Sequence, residues 1–272
     1  MSNAPASDAP ARDRRSVTTL RVLRTERVTP HMIRVVAGGP GLEDFVPNDR
    51  TDAYVKVLFP LPGVDYPQPL DMQAVRREFP RDQWPVVRTY TVRYFDPVAR
   101  ELAIDFVHHG DAGVAGPWAA AVRPGEEFSL LGPGGGYAPS AEYGLHLLLG
   151  DEAALPAIGA AVERLPAGAR ARVVVEVDGP DEEQKFDSPG AVELTWVHRS
   201  AGGSLVDVVR ALEFPGEDTQ AFVHGEAAMV KELRALMAER GVTKDRLSIS
   251  GYWRRGLSED GFREVKAAET GA

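Results

Sequence analysis

The first half of the chain, from Val17 to about Ala138, alternates apolar and polar residues in short runs. Gly, Pro or Asn-Asp turn signals separate most of these runs. Alternation with period two is typical of strands, because successive side chains point to opposite faces. Six runs show it: TTLRVLRTERV, HMIRVVAGG, DAYVKVLFP, RTYTVRYFD, ELAIDFVHH and EEFSLLGPG. Six short strands without long helical patterns predict a closed antiparallel barrel.

One long excursion interrupts the strand pattern. It reads PLPGVDYPQPLDMQAVRREFPRDQWP and contains at most one or two helical turns. Long excursions inside a domain are usually functional. We therefore expect the 60–87 segment to form a wall of a binding site.

After Tyr143 the pattern of apolar and polar residues changes to continuous apolar runs, which are typical of parallel strands buried on both faces. The runs are LHLLLG, ARVVVEVD, VELTWVHR, QAFVHGE and RLSISGYW. Segments with helical spacing lie among them: ALPAIGAAVERLP, SLVDVVRALE and AAMVKELRALMAERG. This alternation predicts a doubly wound parallel sheet.

The change of rhythm divides the chain. We predict a barrel domain over 17–140 and an α/β domain over 141–272, whose tail SEDGFREVKAAETGA has helix-forming residues. Residues 1–16 contain arginines without a following apolar segment, so we expect a disordered leader rather than a secretory signal.

Composition narrows the possible functions. The chain has 272 residues, 43% hydrophobic and 26% charged, as in a soluble protein of one large domain or two ordinary ones. It has no cysteine, which excludes disulfides, thiolate metal sites and thiol nucleophiles. No apolar run approaches the roughly 18–20 residues that span a bilayer. We expect a cytoplasmic protein.

Charge and histidine placement exclude two further classes. The net charge is −9, of which −8 falls in residues 141–272, and there is no basic block. Such a chain is a poor candidate for binding a nucleic-acid backbone. The six histidines are scattered without ligand spacing, so we expect no metal site.

The stretch RTYTVR combines Arg88, Tyr90 and Thr91 at the start of a predicted strand. Residues two apart share a face, so Arg88 and Tyr90 can meet one ligand. A guanidinium is suited to phosphate and a phenol ring to a flat aromatic ligand. An ordinary exposed edge strand has the same composition, so both interpretations stay open.

The segment DFVHHGDAGVAGPWAA carries small residues ahead of a predicted helix. Backbone N–H groups at such a position form an anion cradle that the helix dipole strengthens. A pyrophosphate would fit there, and a tight loop with a capped helix is the alternative. His109 also lies in this segment. In place of a metal ligand, the alternative for its imidazole is a structural hydrogen bond within the loop.

Two further motifs lie in the α/β half. LLLGDEAALPAI occupies the position of a dinucleotide fingerprint, but Asp151 and Glu152 stand where glycines are usual. Carboxylates are unfavourable beside a pyrophosphate, and helix caps are the alternative. The last motif, GYWRRG, is either a lid over a planar ligand or a surface patch with arginine stacked on tryptophan.

In this order, the motifs resemble those of the siderophore-interacting proteins, flavin-dependent ferric-siderophore reductases with a ferredoxin-reductase-like architecture. The resemblance covers about Val17 to Gly256 and rests on DAYVKVLFP, RTYTVR, DFVHHG, GVAGPWA, GPGG, GDEAALPAI, VHGEAAM and GYWRRG. It implies a Greek-key FAD-binding barrel followed by a nicotinamide-type α/β domain.

The resemblance also implies roles for individual residues. Arg88, Tyr90 and Thr91 match the flavin-contacting motif, and Val107 and His109 match the strand end beside the flavin. The backbone cradle for the FAD pyrophosphate is matched by Val114, Ala115 and Gly116, with Trp118 opening the helix.

On the nicotinamide side, Asp151 and Glu152 occupy the variant turn of the family. Lys56 matches a lysine that attracts the anionic ferric siderophore in some members. Certain members add two arginines, where this chain has Gly134 and Ser248. We expect Arg254 and Arg255 to supply that charge.

The implied activity is reduction of siderophore-bound Fe(III) by reduced FAD, with NADH, NADPH or ferredoxin as electron donor. Glu176 and Asp178 favour NADH, since an acidic group repels a 2′-phosphate, whereas Arg199 favours NADPH. Two alternatives are a general flavin or ferredoxin-type reductase and a ferric-siderophore-binding protein that has lost flavin. We expect a monomer.

Overall fold

The computed structural model describes residues 17–270, so the predicted leader lies outside the described residues. The described chain contains a closed six-stranded antiparallel barrel and a five-stranded parallel sheet with helices on its faces. The predicted fold class is therefore confirmed in both halves.

The barrel strands follow the order β1-β2-β5-β4-β3-β6, and β1 pairs with β6 to close it. Their bounds are β1 Thr18–Thr29, β2 Met32–Gly38, β3 Tyr54–Phe59, β4 Val86–Asp96, β5 Glu101–Val107 and β6 Glu127–Gly134. Alternate residues such as Val35, Val55 and Ile104 point inward and are fully buried. The period-two pattern of the sequence is thus the pattern of barrel-lining side chains.

The excursion between β3 and β4 is ordered by a small apolar core of its own. It contains α1, Met72–Glu78, which begins where the Asp71 side chain accepts hydrogen bonds from two backbone N–H groups. Met72 and Val75 are buried against Leu58 of β3. This packing fixes one face of α1 on the outside of the barrel, and the predicted one or two helical turns are confirmed.

A second short helix, α2 (Ala115–Ala121), follows β5. Its Trp118 packs on Phe59, Phe106 and Phe128, with ring centroids 5.3–5.5 Å apart. These edge-on and tilted arrangements are the preferred geometry of aromatic pairs. α2 therefore packs on the barrel core through an aromatic cluster.

The parallel sheet has the strand order β11-β10-β7-β8-β9. Its strands are β7 Leu145–Asp151, β8 Arg170–Val177, β9 Ala191–His198, β10 Thr219–Glu226 and β11 Leu247–Trp253. α3 (Leu155–Glu163) covers one face, and α4 (Leu205–Ala211) and α5 (Ala227–Glu239) cover the other. The strand order reverses between β7 and β10, and ligands of such sheets bind at the carboxyl ends of the strands at that point.

The connection from β8 to β9 contains a single 3₁₀ turn in place of a helix. In it, the buried carboxylate of Glu182 accepts hydrogen bonds from Thr29 Oγ1 at 2.5 Å and from His31 Nδ1 at 2.6 Å. Farther along, Phe186 lies 5.9 Å from the guanidinium of Arg93. This connection therefore joins the α/β half to the barrel. The last described element is α6, Glu259–Thr270.

Candidate active site

The strand β4 carries the RTYTVR motif in the middle of the barrel sheet. Arg88 and Tyr90 are register partners of Val57 and Val55, whose side chains point into the barrel. Directly opposed residues in an antiparallel pair share a face, so Arg88 and Tyr90 lie on the same side of β4. Thr89 and Thr91 lie on the other side.

Tyr90 belongs to a row of aromatic rings packed at tilted angles. Its ring centroid lies 4.3 Å from that of Phe106, which in turn lies 5.4 Å from that of Trp118. Burial raises the pKa of Tyr90 above its ordinary value, so the phenol stays neutral. The row connects the RTYTVR motif to the start of α2.

The segment before α2 brings Val107 and Gly116 together. A Cβ atom on Gly116 would lie only 3.1 Å from the Val107 carbonyl oxygen, so a side chain there would crowd β5. Ala115 is buried and Val114 is exposed. His109 is exposed, and its ring centroid lies 6.0 Å from that of His31.

The guanidinium of Arg88 already binds carboxylates in this structure. Its Nη1 lies 3.0 Å from Asp260 Oδ2, and its Nε lies 3.9 Å from Glu259 Oε2, both at the start of α6. Thr89 Oγ1 donates to Glu259 Oε1 at 3.2 Å. Sequence reasoning missed this contact, although the acidic pair Glu259 and Asp260 at the start of the last helix was a signal for it. An arginine that binds anions beside an aromatic row and a glycine-lined loop fits a flavin with a pyrophosphate.

The carboxyl edge of the parallel sheet is organised around Asp151. Its carboxylate accepts hydrogen bonds from Trp253 Nε1 at 2.8 Å, the Glu226 backbone N–H at 2.8 Å and the Ala153 N–H at 3.0 Å. Burial raises the pKa of Asp151 to about 6, although these hydrogen bonds act in the opposite direction. Asp151 thereby connects the ends of β7, β10 and β11.

Glu152 is neutralised by an ion pair. Arg199 binds its carboxylate and also lies 3.4 Å from Glu176, which accepts a hydrogen bond from the Leu205 N–H at 2.9 Å. α3 has no side-chain cap, so neither Asp151 nor Glu152 caps it. The two carboxylates therefore place less negative charge at this edge than the sequence indicates.

A cleft of about 300 Å³ lies beside Lys56. Its walls are the outer face of β3, one face of α1 and the end of β6; the lining residues are Tyr54, Lys56, Met72, Gln73, Arg76, Leu131, Gly132, Pro133 and Gly134. Lys56 is the register partner of Thr89 on β4. Directly opposed residues have Cα atoms about 5 Å apart, so the cleft adjoins the RTYTVR motif.

The two arginines expected to add charge do not line this cleft. Arg254 and Arg255 follow β11, and the Arg255 N–H donates to Glu226 at 3.3 Å. Ser248 binds His224 Nε2 at 3.0 Å within the sheet. Arg76 from α1 is the second cation of the cleft, and the sequence did not single it out.

A larger cleft, of about 850 Å³, lies between the far end of β4 and α3. Two of its four arginines are paired with its own carboxylates, Arg93 with Glu163 and Arg100 with Glu43. It is lined by Val92 to Phe95 of β4 and contains the carboxylates of Glu43, Asp49 and Glu163. We therefore place the candidate site at the smaller cleft, whose lining contains cations and no carboxylate and which lies beside Thr89 of the RTYTVR motif. Arg88 and Tyr90 lie on the opposite face of β4.

Within residues 17–270, no three His, Asp or Glu side chains are grouped so as to hold a metal ion. The helices of this part of the chain are also too short or too polar to cross a membrane.

The fold, a closed barrel joined to a parallel sheet with helices, is shared by a ferredoxin reductase of carbazole 1,9a-dioxygenase, with a TM-score of 0.64 at 15% identity over 88% of this chain and 70% of that chain. Residues 21–137 match the siderophore-interacting FAD-binding domain, and residues 143–256 match the siderophore-interacting protein domain. The chain belongs to the siderophore-interacting protein family, and its barrel is a FAD-binding domain.

Individual relatives cover nearly the whole chain. An uncharacterised protein of Mycobacterium tuberculosis is 45% identical over 93% of this chain and 95% of its own length. The ferric vibriobactin reductase ViuB of Vibrio cholerae is 31% identical over 91% and 93%, and the NADPH-dependent ferric-chelate reductase of Escherichia coli is 29% identical over 93% and 99%. The crystal structure of a siderophore utilization protein from T. fusca has a TM-score of 0.77 at 36% identity, over 90% of this chain and 95% of that chain.

Proposed function

We propose that the protein is an FAD-dependent ferric-siderophore reductase, which releases iron by reducing chelated Fe(III) to Fe(II). The observation that carries this proposal is the position of the Lys56 cleft next to Thr89, within the motif that contains Arg88 and Tyr90. An acceptor in that cleft would lie across one layer of the sheet from Arg88 and Tyr90. The names of the Vibrio cholerae and Escherichia coli relatives support the same activity.

The residues proposed to hold FAD are Arg88, Tyr90, Thr91, Val107, His109, Val114, Ala115, Gly116 and Trp118. Bound FAD supplies the redox chemistry, because it accepts electrons in pairs and releases them singly. One NAD(P)H would reduce two ferric chelates and release one proton. The side chains are needed for binding and orientation, and none of them acts as a general base.

The donor site is proposed at the carboxyl edge of the parallel sheet, near Asp151 and Glu152. Because Arg199 neutralises Glu152 and burial raises the pKa of Asp151, a dinucleotide phosphate would meet less negative charge there. Arg199 is itself paired with two carboxylates, so both NADH and NADPH are tested as donors. A chain without cysteine suits the reducing cytoplasm, where we place the reaction.

The first test is an absorption spectrum of the purified protein. It is followed by anaerobic reduction with NADH, NADPH or light, and by addition of a ferric siderophore with an Fe(II) trap. We expect flavin bands that bleach on reduction and return as Fe(II) is trapped. A colourless protein that FAD cannot reconstitute would favour the binding-protein alternative. Reoxidation by other acceptors but not by ferric chelates would favour a general reductase.

Arg88 allows a direct test of the flavin assignment. We expect Arg88→Ala to lose FAD on gel filtration, because the guanidinium is the cation next to Tyr90. Arg100→Ala is the matched control, since Arg100 is an exposed barrel arginine paired with Glu43. Equal FAD retention by both variants would contradict the assignment.

A further inference from the structure

The cleft beside Lys56 carries positive charge that its own lining does not balance. Lys56 and Arg76 line it, and none of the lining residues is a carboxylate. The neighbouring Arg77 pairs with Glu78 at 2.6 Å, whereas Lys56 and Arg76 form no ion pair with other described residues. In a chain with net charge −9, a cleft with two cations and no acid indicates an anionic ligand.

The position of Arg76 is set by the packing of the helix that carries it. Met72 and Val75 are buried, which fixes the face that α1 turns towards the cleft. The Arg76 guanidinium lies 5.9 Å from the ring centroid of Trp84, whose indole N–H donates to the Phe79 carbonyl oxygen at 3.0 Å. A cation held over an aromatic face keeps its charge and its free N–H donors.

The floor of the cleft is an aromatic ring. A Cβ atom on Gly134 would lie 2.3 Å from Cζ of Tyr54, so the phenol occupies the space of any side chain at 134. A larger side chain at 134 is therefore incompatible with this position of Tyr54. The Tyr54 ring, 39% exposed, offers a flat apolar surface in the same cleft as the two cations.

We propose that Arg76 is a specificity-determining residue of the acceptor site. Together with Lys56 and the Tyr54 ring, it selects ferric chelates with net negative charge and aromatic oxygen ligands, the catecholates, over uncharged hydroxamate chelates. This inference rests on the proposed function. A ferric tris-catecholate carries a charge of −3, so each cation contributes more to its binding than to that of a neutral complex.

The test measures binding to the oxidised, FAD-loaded protein by fluorescence quenching. A ferric tris-catecholate and a neutral ferric hydroxamate are titrated into the wild type, Arg76→Ala, Arg76→Lys and Arg77→Ala. We expect Arg76→Ala to weaken catecholate binding about tenfold, which corresponds to about 1.4 kcal/mol. Hydroxamate binding should stay within about twofold, as expected for a charge-specific contact.

The other variants separate charge from structure. Arg76→Lys should restore most of the catecholate affinity, and Arg77→Ala, on the same helix, should match the wild type. The preference of the wild type for the ferric catecholate over the ferric hydroxamate should also shrink as salt concentration rises. Unchanged catecholate affinity in Arg76→Ala would overturn the role of Arg76, and a wild-type preference for the hydroxamate would overturn the substrate class.

The same samples distinguish this inference from the proposed function. Reduction is followed separately, with the Fe(II) trap and NADH or NADPH. A wild type that binds both chelates but reduces neither would contradict the reductase. The titrations would then still decide whether Arg76 discriminates by charge.

Discussion

Replacing Asp151 with asparagine tests the electrostatics of the carboxyl edge. The carboxyl is buried, and its pKa is raised from an ordinary value near 4 to about 6. Between these values the folded protein retains a proton that the unfolded chain has released, so the free energy of unfolding falls as pH rises. Two pH units at about 1.36 kcal/mol each give a total of about 3 kcal/mol.

Asparagine has no such titration, but it offers one oxygen in place of two. The carboxylate oxygens accept from Trp253, Glu226 and Ala153, so the variant leaves one or two donors unsatisfied. That loss costs about 1–3 kcal/mol at every pH. The stability advantage of the wild type should therefore shrink by about 2–3 kcal/mol between pH 4 and pH 7.5.

The assay is urea unfolding followed by fluorescence and circular dichroism at a series of pH values. Subtracting the free energy of unfolding of the variant from that of the wild type at each pH removes the contribution of every other titrating group. Asp187→Asn, at an exposed carboxylate, is the control and should give a flat difference. A flat difference for Asp151→Asn, or one that grows with pH, would refute the reasoning.

Three further outcomes are expected from urea unfolding of single variants. Burial lowers the pKa of His146, so the free energy of unfolding of the wild type should fall as pH drops below about 6.5. His146→Leu should lose less stability over the same pH range. An equal loss in wild type and variant would contradict this expectation. Asp105→Ala should cost about 3–5 kcal/mol, because Arg34 would lose both hydrogen bonds of a half-buried pair; a cost below about 1 kcal/mol would contradict this. Gly225→Ala should lower the free energy of unfolding by about 1–3 kcal/mol, since φ is 141° and the new Cβ would lie 2.7 Å from the Asp151 carboxylate. Unchanged stability would contradict this expectation and show that the carboxyl edge of the sheet can rearrange around the new side chain.

The strands and helices were predictable from the sequence because each is set by local periodicity. β4 and β7 show the two patterns clearly: β4 alternates as a strand with one core-facing side, and β7 is mostly apolar and buried throughout because helices cover both of its faces. The same periodicity placed Arg88 and Tyr90 on one face of β4. These inferences needed no knowledge of distant residues.

The parts of the site that escaped prediction depend on contacts between distant segments. Asp260 binds Arg88 across 172 positions of sequence, and Trp253 binds Asp151 across 102. No periodicity encodes such pairs. The place of Arg76 in the cleft was not predicted for a related reason. The direction of its side chain depends on how α1 packs on the barrel through Met72. Side chains whose position depends on docking need the three-dimensional structure.

The helix α3 joins the carboxyl edge of the parallel sheet to the barrel. It begins at Leu155, just after the carboxyl edge, and ends at Glu163, which binds Arg93 of β4 through both guanidinium Nη atoms. Nine residues at 1.5 Å each make the helix about 13 Å long. The length of one helix therefore sets where the strand that bears Tyr90 is tied to the sheet, and inserting a single turn into α3 would carry Glu163 about 5 Å away from Arg93.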